Sequence, residues 1–354
     1  MSDESSATDA AIHGMVASLR PEWTVDSIRR SEHGTDLVAF LDVSKPSGRS
    51  DAVLKATTAD FVTPEIARSE PRLLDLVGRE TTIPVPQVFG FADSHPEYPA
   101  PFYVMERVSG RNYEGRPADL DAAARERVVA ETGRNLAQLH DLGTLPRVGR
   151  VGVRDGELAV LDGEHGRVED FRAWLRADIE EGLDALADGT YYPDLAVEPE
   201  RFVDLVPALR EELGARLASL TEPALPRYCH WDYRYGNLLV DPGTGATRAV
   251  LDWANLLAAE PAYNLAKTES HLLDPGAADS TERAATLREL FRDAYAAERD
   301  DWAFTAAIEE RIETYRLKCR VDAMACLPLW LQDATPAERD ERERQHRAFV
   351  ARYL

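Results

Sequence analysis

A histidine, an aspartate and an asparagine at short fixed spacing are the residues of this sequence that could carry chemistry. His230 lies two residues before Asp232, and Asn237 follows that aspartate by five. Asp232 could accept a hydrogen bond from an attacking hydroxyl, and the neutral amide oxygen of Asn237 could bind magnesium without using that carboxylate. His230 is suited to supporting the loop through backbone hydrogen bonds. The spacing is typical of phosphoryl transfer, which depends mainly on positioning and on metal ions.

A second carboxylate follows the loop, at the end of a predicted β-hairpin. Segments 238–240 and 249–251 are apolar, and the turn between them contains Pro242 and Gly243. This pattern predicts a hairpin that returns the chain to the loop. Asp252 ends its second strand, where a carboxylate could bind a magnesium ion that bridges the β- and γ-phosphates. An aspartate at a strand end is also commonly a simple turn or cap residue, so both interpretations stay open.

An isolated lysine strengthens the phosphoryl-transfer interpretation. Arginine has largely displaced lysine, which occurs only as Lys45, Lys55, Lys267 and Lys318. Lys55 lies within an apolar strand-like run, where a long cation commonly extends to the edge. Its retention indicates a need for a compact ammonium, which pairing with phosphates would explain. A carboxylate should hold this lysine. Glu70 is the predicted partner and Glu65 the alternative, because Pro71 makes the start of the helix ambiguous.

The elements that must position these residues divide the chain into two parts. Up to about residue 115, strand-like runs cover 36–43, 51–56 and 102–106, after an amphipathic helix that contains Ile12, Met15, Val16 and Leu19. Long helical patterns follow, such as 122–140. This order predicts an α+β fold with a strand-rich N-lobe and a mostly helical C-lobe. We expect a nucleotide-binding lobe at 1–108, with a hinge near its end, and a catalytic and substrate-binding lobe at 109–354.

The charge balance excludes some partners. The chain has 63 acidic and 41 basic residues, a formal net charge of -22, and no basic block, so we expect binding to neither nucleic acid nor anionic membranes. Because the acidic residues are spread along the chain, a surface adapted to a salt-rich cytoplasm is favoured over an acidic cleft for a cationic substrate. Three cysteines are too few and too unevenly spaced for a disulfide framework or a zinc site. The acidic N-terminus lacks the layout of a signal peptide, so a cytoplasmic location is expected.

These motifs together resemble the aminoglycoside phosphotransferase and choline kinase-like family, whose members share the two-lobed protein-kinase-like fold. The matching segments follow the family's order across roughly residues 28 to 270. They are Val53-Leu54-Lys55, Glu70, Ile83-Pro84-Val85-Pro86, Met105 to Gly110, Leu136 to His140, the loop from His230 to Asn237, and Leu251-Asp252-Trp253. Their order is more specific than any one of them.

The resemblance implies a small-molecule kinase that uses ATP and Mg²⁺ to phosphorylate a hydroxyl group. Asp232, supported by His230, would orient that hydroxyl, while Asn237 and Asp252 would hold the metal. The implied nucleotide site consists of Lys55 and Glu70, the phosphate-covering residues Ser31, Gly34 and Thr35, and the hinge residues Met105, Glu106 and Val108. The motifs do not specify the acceptor, which could be an aminoglycoside, an amino alcohol, a sugar or a homoserine-like compound.

The chain departs from the family at three places. Its phosphate-covering loop has a single glycine, with Asp36 as a poor neighbour for phosphate. Trp231 and Tyr235 stand where the family commonly has glycine and proline, and they could line the substrate mouth or pack between loop and helices. Asn264 replaces an aspartate that braces the loop, and its side-chain oxygen could still accept backbone N–H bonds without the charge.

Other functions are weaker alternatives. A non-catalytic pseudokinase with a regulatory role is the main one, although the joint retention of Lys55, Asp232, Asn237 and Asp252 favours catalysis. A protein kinase is less favoured, because Trp231 stands in place of arginine and no peptide-docking activation segment follows Asp252. A metal-dependent hydrolase would leave Lys55 and Asn237 unexplained.

Overall fold

The computed structural model describes residues 8–31, 36–57, 62–163, 170–191, 197–254, 256–274 and 281–354. Its internal contacts divide the chain into two compact units. Unit 1 consists of Met1–Asn112, Arg150–Leu161 and Asn237–Leu256, and unit 2 of Tyr113–Gly149, Asp162–Gly236 and Leu257–Leu354. Both units are assembled from segments that are distant in sequence. The lobe boundary after residue 108 stays a prediction.

Unit 1 is built on a five-stranded antiparallel sheet with the order β1-β2-β3-β5-β4. Its strands are β1 (Thr24–Arg30), β2 (Leu37–Lys45), β3 (Gly48–Ala56), β4 (Val88–Ala92) and β5 (Phe102–Glu106). Leu54 of β3 and Val104 of β5 belong to one apolar core with Ile12 and Met15 of helix α1 (Asp9–Leu19). Because side chains alternate along a strand, Lys55 lies on the face opposite to Leu54.

Two helices in unit 1 carry the predicted partner of Lys55. They are α2 (Pro64–Ala67) and α3 (Ser69–Glu80). Pro71 lies in the first turn of α3, where its missing N–H removes no helical hydrogen bond. A new helix therefore starts at Ser69, which was one of the two outcomes that Pro71 left open. Glu70 is buried in this first turn.

Two hairpins complete unit 1. The first is formed by β6 (Gly149–Arg154) and β7 (Glu157–Val160), although the first residue of β6 belongs to unit 2. The second pairs β9 (Leu238–Val240) with β10 (Thr247–Val250), with Leu238 opposite Val250. This confirms the predicted hairpin between the two apolar segments.

Unit 2 is mostly helical. Its helices are α4 (Ala122–Asp141), α5 (Phe171–Ala187), α6 (Val206–Ser219), α7 (Pro261–Leu272), α8 (Thr281–Glu298), α9 (Ala306–Trp330) and α10 (Pro336–Val350). Strand β8 (Arg227–Cys229) pairs antiparallel with β11 (Leu257–Ala259). Helices α4 and α8 pack closely at Gly133, where an added Cβ would lie 2.4 Å from the Phe291 carbonyl oxygen.

The two units confirm the predicted α+β class, with an antiparallel sheet in one and helices in the other. Among the residues that the structure describes, no helix combines the length and the apolarity that crossing a membrane would require.

Candidate functional site

A buried ion pair joins strand β3 to helix α3 in unit 1. Lys55 Nζ lies 2.7 Å from Glu70 Oε2, and only 15% of the lysine side chain and 7% of the glutamate side chain are exposed. Burial by itself lowers the pKa of Lys55, but the nearby carboxylates of Glu70 and Asp252 outweigh burial and raise that pKa above its ordinary value. The ammonium is therefore charged at neutral pH. Glu70 forms this pair, whereas Glu65 is exposed on α2.

The same glutamate also contacts the segment around Asp252. Glu70 Oε1 accepts a hydrogen bond of 3.3 Å from the Trp253 N–H. The buried Trp253 indole in turn donates to the Val250 carbonyl oxygen at 2.9 Å, which fixes the end of the hairpin. Asp252 has a φ of +62°, in the left-handed region that is uncommon for residues other than glycine. Such a conformation costs on the order of 1–3 kcal/mol and persists where surrounding contacts enforce it.

Asn237 and Asp252 flank the same end of the β9–β10 hairpin. The N–H of Leu251, which precedes Asp252, donates to the Asn237 carbonyl oxygen at 2.8 Å. Amide and carboxylate oxygens are hard donors of the kind that Mg²⁺ prefers, and magnesium sites commonly combine one or two such residues with substrate phosphates. Asp252 also lies close enough to Lys55 to raise its pKa. The donor set therefore fits a magnesium ion that is shared with phosphate groups.

The predicted hinge residues lie at the end of β5 and just beyond it. Met105 is half-buried and lies opposite Val53 of β3. Glu106 is exposed, and its N–H donates to the Gln87 carbonyl oxygen at 2.8 Å. Val108 is half-buried just beyond the strand. Recognition of adenine by this segment stays a prediction.

The predicted phosphate-covering loop is described only at its two ends. Ser31 N–H donates to the Val38 carbonyl oxygen at 2.8 Å, which continues the pairing of β1 with β2. Gly34 and Thr35 lie outside the described residues. At the other end, Asp36 Oδ2 lies 3.5 Å from Lys55 Nζ. Asp36 is a poor neighbour for phosphate, but Lys55 partly offsets its negative charge.

In unit 2, Asp232 belongs to a small charged cluster. Arg234 Nε donates to Asp232 Oδ2 at 2.7 Å, and another nitrogen of the same guanidinium lies 2.7 Å from Glu114 Oε1. His271 Nδ1 lies 3.5 Å from Asp232 Oδ1. Burial raises the pKa of Asp232, but His271 and Arg234 outweigh burial and lower it, so the carboxylate is ionised at neutral pH. Burial, aided by the charge of Lys267, lowers the pKa of His271 to about 4, so this imidazole is neutral at pH 7.

A neutral hydrogen-bond network braces the loop. The Asp232 N–H donates to His230 Nδ1 at 3.3 Å, and Asn264 Nδ2 donates to the His230 carbonyl oxygen at 2.8 Å. Asn264 thus uses its nitrogen on the loop backbone, and not its oxygen as predicted, because that oxygen lies 3.1 Å from His140 Nε2. The other His140 nitrogen lies 2.7 Å from the Tyr295 hydroxyl. Burial lowers the pKa of His140 to about 3, so this network needs no charged residue at position 264.

The two predicted substrate-mouth residues differ in exposure. Tyr235 is only 4% exposed, which favours the packing alternative for this residue. Trp231 is half-buried and packs edge-on against Trp174, with ring centroids 6.4 Å apart. Lys267 Nζ lies 4.0 Å from the centroid of the Trp231 ring. Trp231 therefore keeps accessible surface beside Asp232, and its role at a substrate mouth stays a prediction.

Sequence reasoning missed several neighbours of the loop. Glu114 and Lys267 are distant in sequence from Asp232, so no local pattern links them. One signal was present, because the scarcity of lysine that singles out Lys55 applies equally to Lys267. Arg234 lies two residues after Asp232, a spacing that allows both side chains to point the same way.

Comparisons with solved structures show a shared fold. The chain superposes on an amicoumacin kinase with a TM-score of 0.59 at 15% identity, covering 96% of this chain and 92% of that one. For a choline kinase from Cryptosporidium parvum the TM-score is 0.57 at 9% identity, with coverages of 97% and 96%. For an ethanolamine kinase from Plasmodium vivax the TM-score is 0.53 at 11% identity, covering 94% of this chain and 84% of that one. The fold is thus the predicted protein-kinase-like one.

The family comparison agrees with the sequence motifs. No curated protein matches this chain in sequence. A family model described as "Phosphotransferase enzyme family" (APH) matches residues 33–308, which is most of the chain. This match confirms the predicted family resemblance and supports a small-molecule phosphotransferase. The chain belongs to the phosphotransferase enzyme family.

Proposed function

We propose that the protein is an ATP- and magnesium-dependent phosphotransferase that moves the γ-phosphate of ATP to a hydroxyl group of a small molecule. The observation that carries this proposal is the double contact of Glu70, which pairs with Lys55 Nζ and accepts from the N–H of Trp253. One side chain thus links a charged ammonium to the segment that holds Asp252. Phosphoryl transfer requires such fixed charges more than covalent chemistry.

In this proposal unit 1 supplies the nucleotide and metal ligands. Lys55 binds the α- and β-phosphates, held in place by Glu70. Asn237 and Asp252 hold Mg²⁺, which when bound offsets charge on the phosphate oxygens. The remaining nucleotide contacts are proposed for Ser31, Gly34 and Thr35 over the phosphates, and for Met105, Glu106 and Val108 at adenine.

Asp232 of unit 2 is proposed to accept the hydrogen bond of the acceptor hydroxyl and so to orient it. Each carboxylate oxygen can accept more than one hydrogen bond, so Arg234 can stay in place during the reaction. A lowered pKa suits this role, because the transition state is loose and the aspartate positions the hydroxyl more than it acts as a strong base. His230 positions Asp232 by accepting its backbone N–H.

One observation favours the alternative of a non-catalytic pseudokinase. The Arg234 guanidinium bonds directly to Asp232 and must share that carboxylate with any acceptor. The joint retention of Lys55, Asn237 and Asp252 with Asp232 favours catalysis, because a module that only binds nucleotide has no need of Asp232.

A screen of hydroxyl acceptors tests the proposal. The protein is incubated with Mg-ATP and with sugars, amino alcohols, homoserine-like compounds and aminoglycosides, and ADP release is measured. We expect at least one class to stimulate ADP release by the wild type but not by Asp232→Asn. Binding of ATP without release of ADP across the whole set would support the pseudokinase, and failure to bind ATP would contradict both functions.

A further inference from the structure

Lys267 is a buried cation of unit 2. It lies on α7 and is 8% exposed. Its ammonium contacts the face of the Trp231 ring, 4.0 Å from the centroid. Among the residues that the structure describes, no carboxylate lies within ion-pair distance of it. Contact with an aromatic face offsets only part of the cost of burying a charge.

Lys318, the other buried lysine of unit 2, has its charge balanced by carboxylates. Lys318 of α9 forms ion pairs with Asp178 and with Asp322, the latter at 2.7 Å. Asp322 also accepts a hydrogen bond of 3.2 Å from the Tyr191 hydroxyl. These two carboxylates are therefore already engaged, and neither lies within ion-pair distance of Lys267. The uncompensated ammonium of Lys267 would repel a strongly cationic acceptor.

The position of Lys267 places it beside the aspartate proposed to orient the acceptor. Trp231, which Lys267 contacts, immediately precedes Asp232 in the chain. His271 follows Lys267 by one helical turn on α7 and lies 3.5 Å from Asp232 Oδ1. Residues four apart on a helix share one side, so Lys267 and His271 both face the loop. Both contacts place Lys267 on the side of α7 that faces the loop containing Asp232.

We propose that Lys267 binds an anionic oxygen group of the acceptor, so that the substrate is a small molecule with both a hydroxyl and a carboxylate or phosphate group. This inference rests on the proposed function, because it takes Asp232 as the residue that orients the acceptor hydroxyl. The ammonium donates hydrogen bonds to the anion while its apolar stem and the Trp231 ring exclude water from one side. Carboxylate and phosphate share this chemistry, and the test separates them.

Four probes of one skeleton test the charge preference. Glycerate, glycerol 3-phosphate, glyceramide and 3-aminopropane-1,2-diol differ mainly in the charge of one group. We expect ADP release with a kcat/KM for an anionic probe about 10- to 100-fold above that for the amide, the effect of one charge-assisted hydrogen bond. Lys267→Met keeps the apolar stem and should bring this ratio to about one, while Lys267→Arg should keep part of it. Glycerate and glycerol 3-phosphate compared directly show which anion is preferred.

A binding assay without ATP separates this inference from the proposed function. Melting temperatures are measured with each probe at matched ionic strength, and anionic probes should stabilise the wild type more than Lys267→Met. Such a preference without any ADP release would leave the Lys267 site standing and contradict the kinase function. ADP release with no preference for anionic probes, or a preference that Lys267→Met retains, would overturn the Lys267 site alone. Equal responses to all four probes in both assays would also overturn it. If Lys267→Met does not fold, as judged by circular dichroism, Lys267→Gln replaces it.

Discussion

The two candidate groups of residues satisfy their charges in different ways. In unit 1, Lys55 is paired with a buried glutamate that also accepts a backbone N–H near Asp252. In unit 2, Asp232 is held by Arg234, whose side chain is 36% exposed, and Lys267 rests on an aromatic ring. The Lys55 group is thus assembled by the protein's own charges. In the group around Asp232, a ligand is proposed to balance the charge of Lys267.

This difference has an energetic consequence. Removing one partner of a buried ion pair leaves an uncompensated charge and costs roughly 3–5 kcal/mol, whereas a well-exposed pair contributes about 0–1 kcal/mol. Substitutions in the Lys55 group should therefore act mainly by leaving the remaining charged side chain without its partner, so that it is no longer held in place. Substitutions around Asp232 should act mainly on chemistry and on its pH dependence.

The largest effect on chemistry is expected for Asp232→Asn, which should lower kcat by about 10²- to 10⁴-fold because the hydroxyl loses its orienting carboxylate. Stabilisation by Mg-ATP should persist, since the substituted residue belongs to unit 2. Steady-state ADP release and melting curves measure the two properties. The exposed Asp333→Asn serves as the control with wild-type kcat. Full activity of Asp232→Asn would remove this residue from the mechanism.

The brace behind the loop should be sensitive to charge. Asn264→Asp replaces the donor to the His230 carbonyl oxygen by a buried carboxylate oxygen, so the free energy of unfolding should fall by about 2–4 kcal/mol. Urea denaturation at pH 7 measures it, with the exposed Gln332→Glu as the control. The family pattern alone would lead one to expect a more stable protein with aspartate here. A variant at least as stable as the wild type would contradict the neutral network.

The Lys55 group is tested by a matched pair of glutamate substitutions. Glu70→Gln removes the charge that holds Lys55, and kcat/KM for ATP should fall by about 10- to 100-fold, the value of a charge-assisted hydrogen bond. Glu65→Gln, on the exposed face of the neighbouring helix, should behave as the wild type. Equal losses in both variants would show that Lys55 does not depend on Glu70.

The smallest effect is a change in pH dependence. Arg234 lowers the pKa of Asp232, so Arg234→Met should raise it. If Asp232 orients the acceptor as proposed, activity requires the ionised carboxylate and is lost only as pH falls through the lowered pKa. The variant should lose activity at a higher pH, with its acid limb displaced upward by roughly half to one pH unit. Profiles of kcat/KM between pH 2.5 and 7 measure this limb, and the exposed Arg248→Met should leave it in place.

Local patterns predicted much of unit 1. The α1 helix follows from its apolar spacing, the β9–β10 hairpin from its turn residues, and Lys55 stands out because lysine is rare. Pro71 left the start of α3 open, because a proline can either kink a helix or occupy its first turn. The structure decides between the two, because α3 begins at Ser69 and Pro71 lies in its first turn.

The surroundings of Asp232 were less predictable. Lys267 and Trp231 are 36 residues apart in sequence, and they are in contact because α7 packs beside the loop. The orientation of the Asn264 amide depends on His140, which is even more distant in sequence. Burial keeps the imidazole of His140 neutral. Side-chain directions of this kind follow from tertiary packing, and spacing in the sequence does not encode them.

Magnesium-dependent stabilisation by ATP shows whether unit 1 binds the nucleotide together with the metal. The melting temperature of the wild type is measured at low and high salt with ATP, with Mg²⁺ and with both, beside Asp252→Ala. We expect a clear rise only when ATP and Mg²⁺ are present together, and its loss in Asp252→Ala, because that carboxylate is proposed to bind the metal. Absence of any rise in the wild type at either salt concentration would contradict the proposed kinase function, and an undiminished rise in Asp252→Ala would contradict the proposed metal ligand.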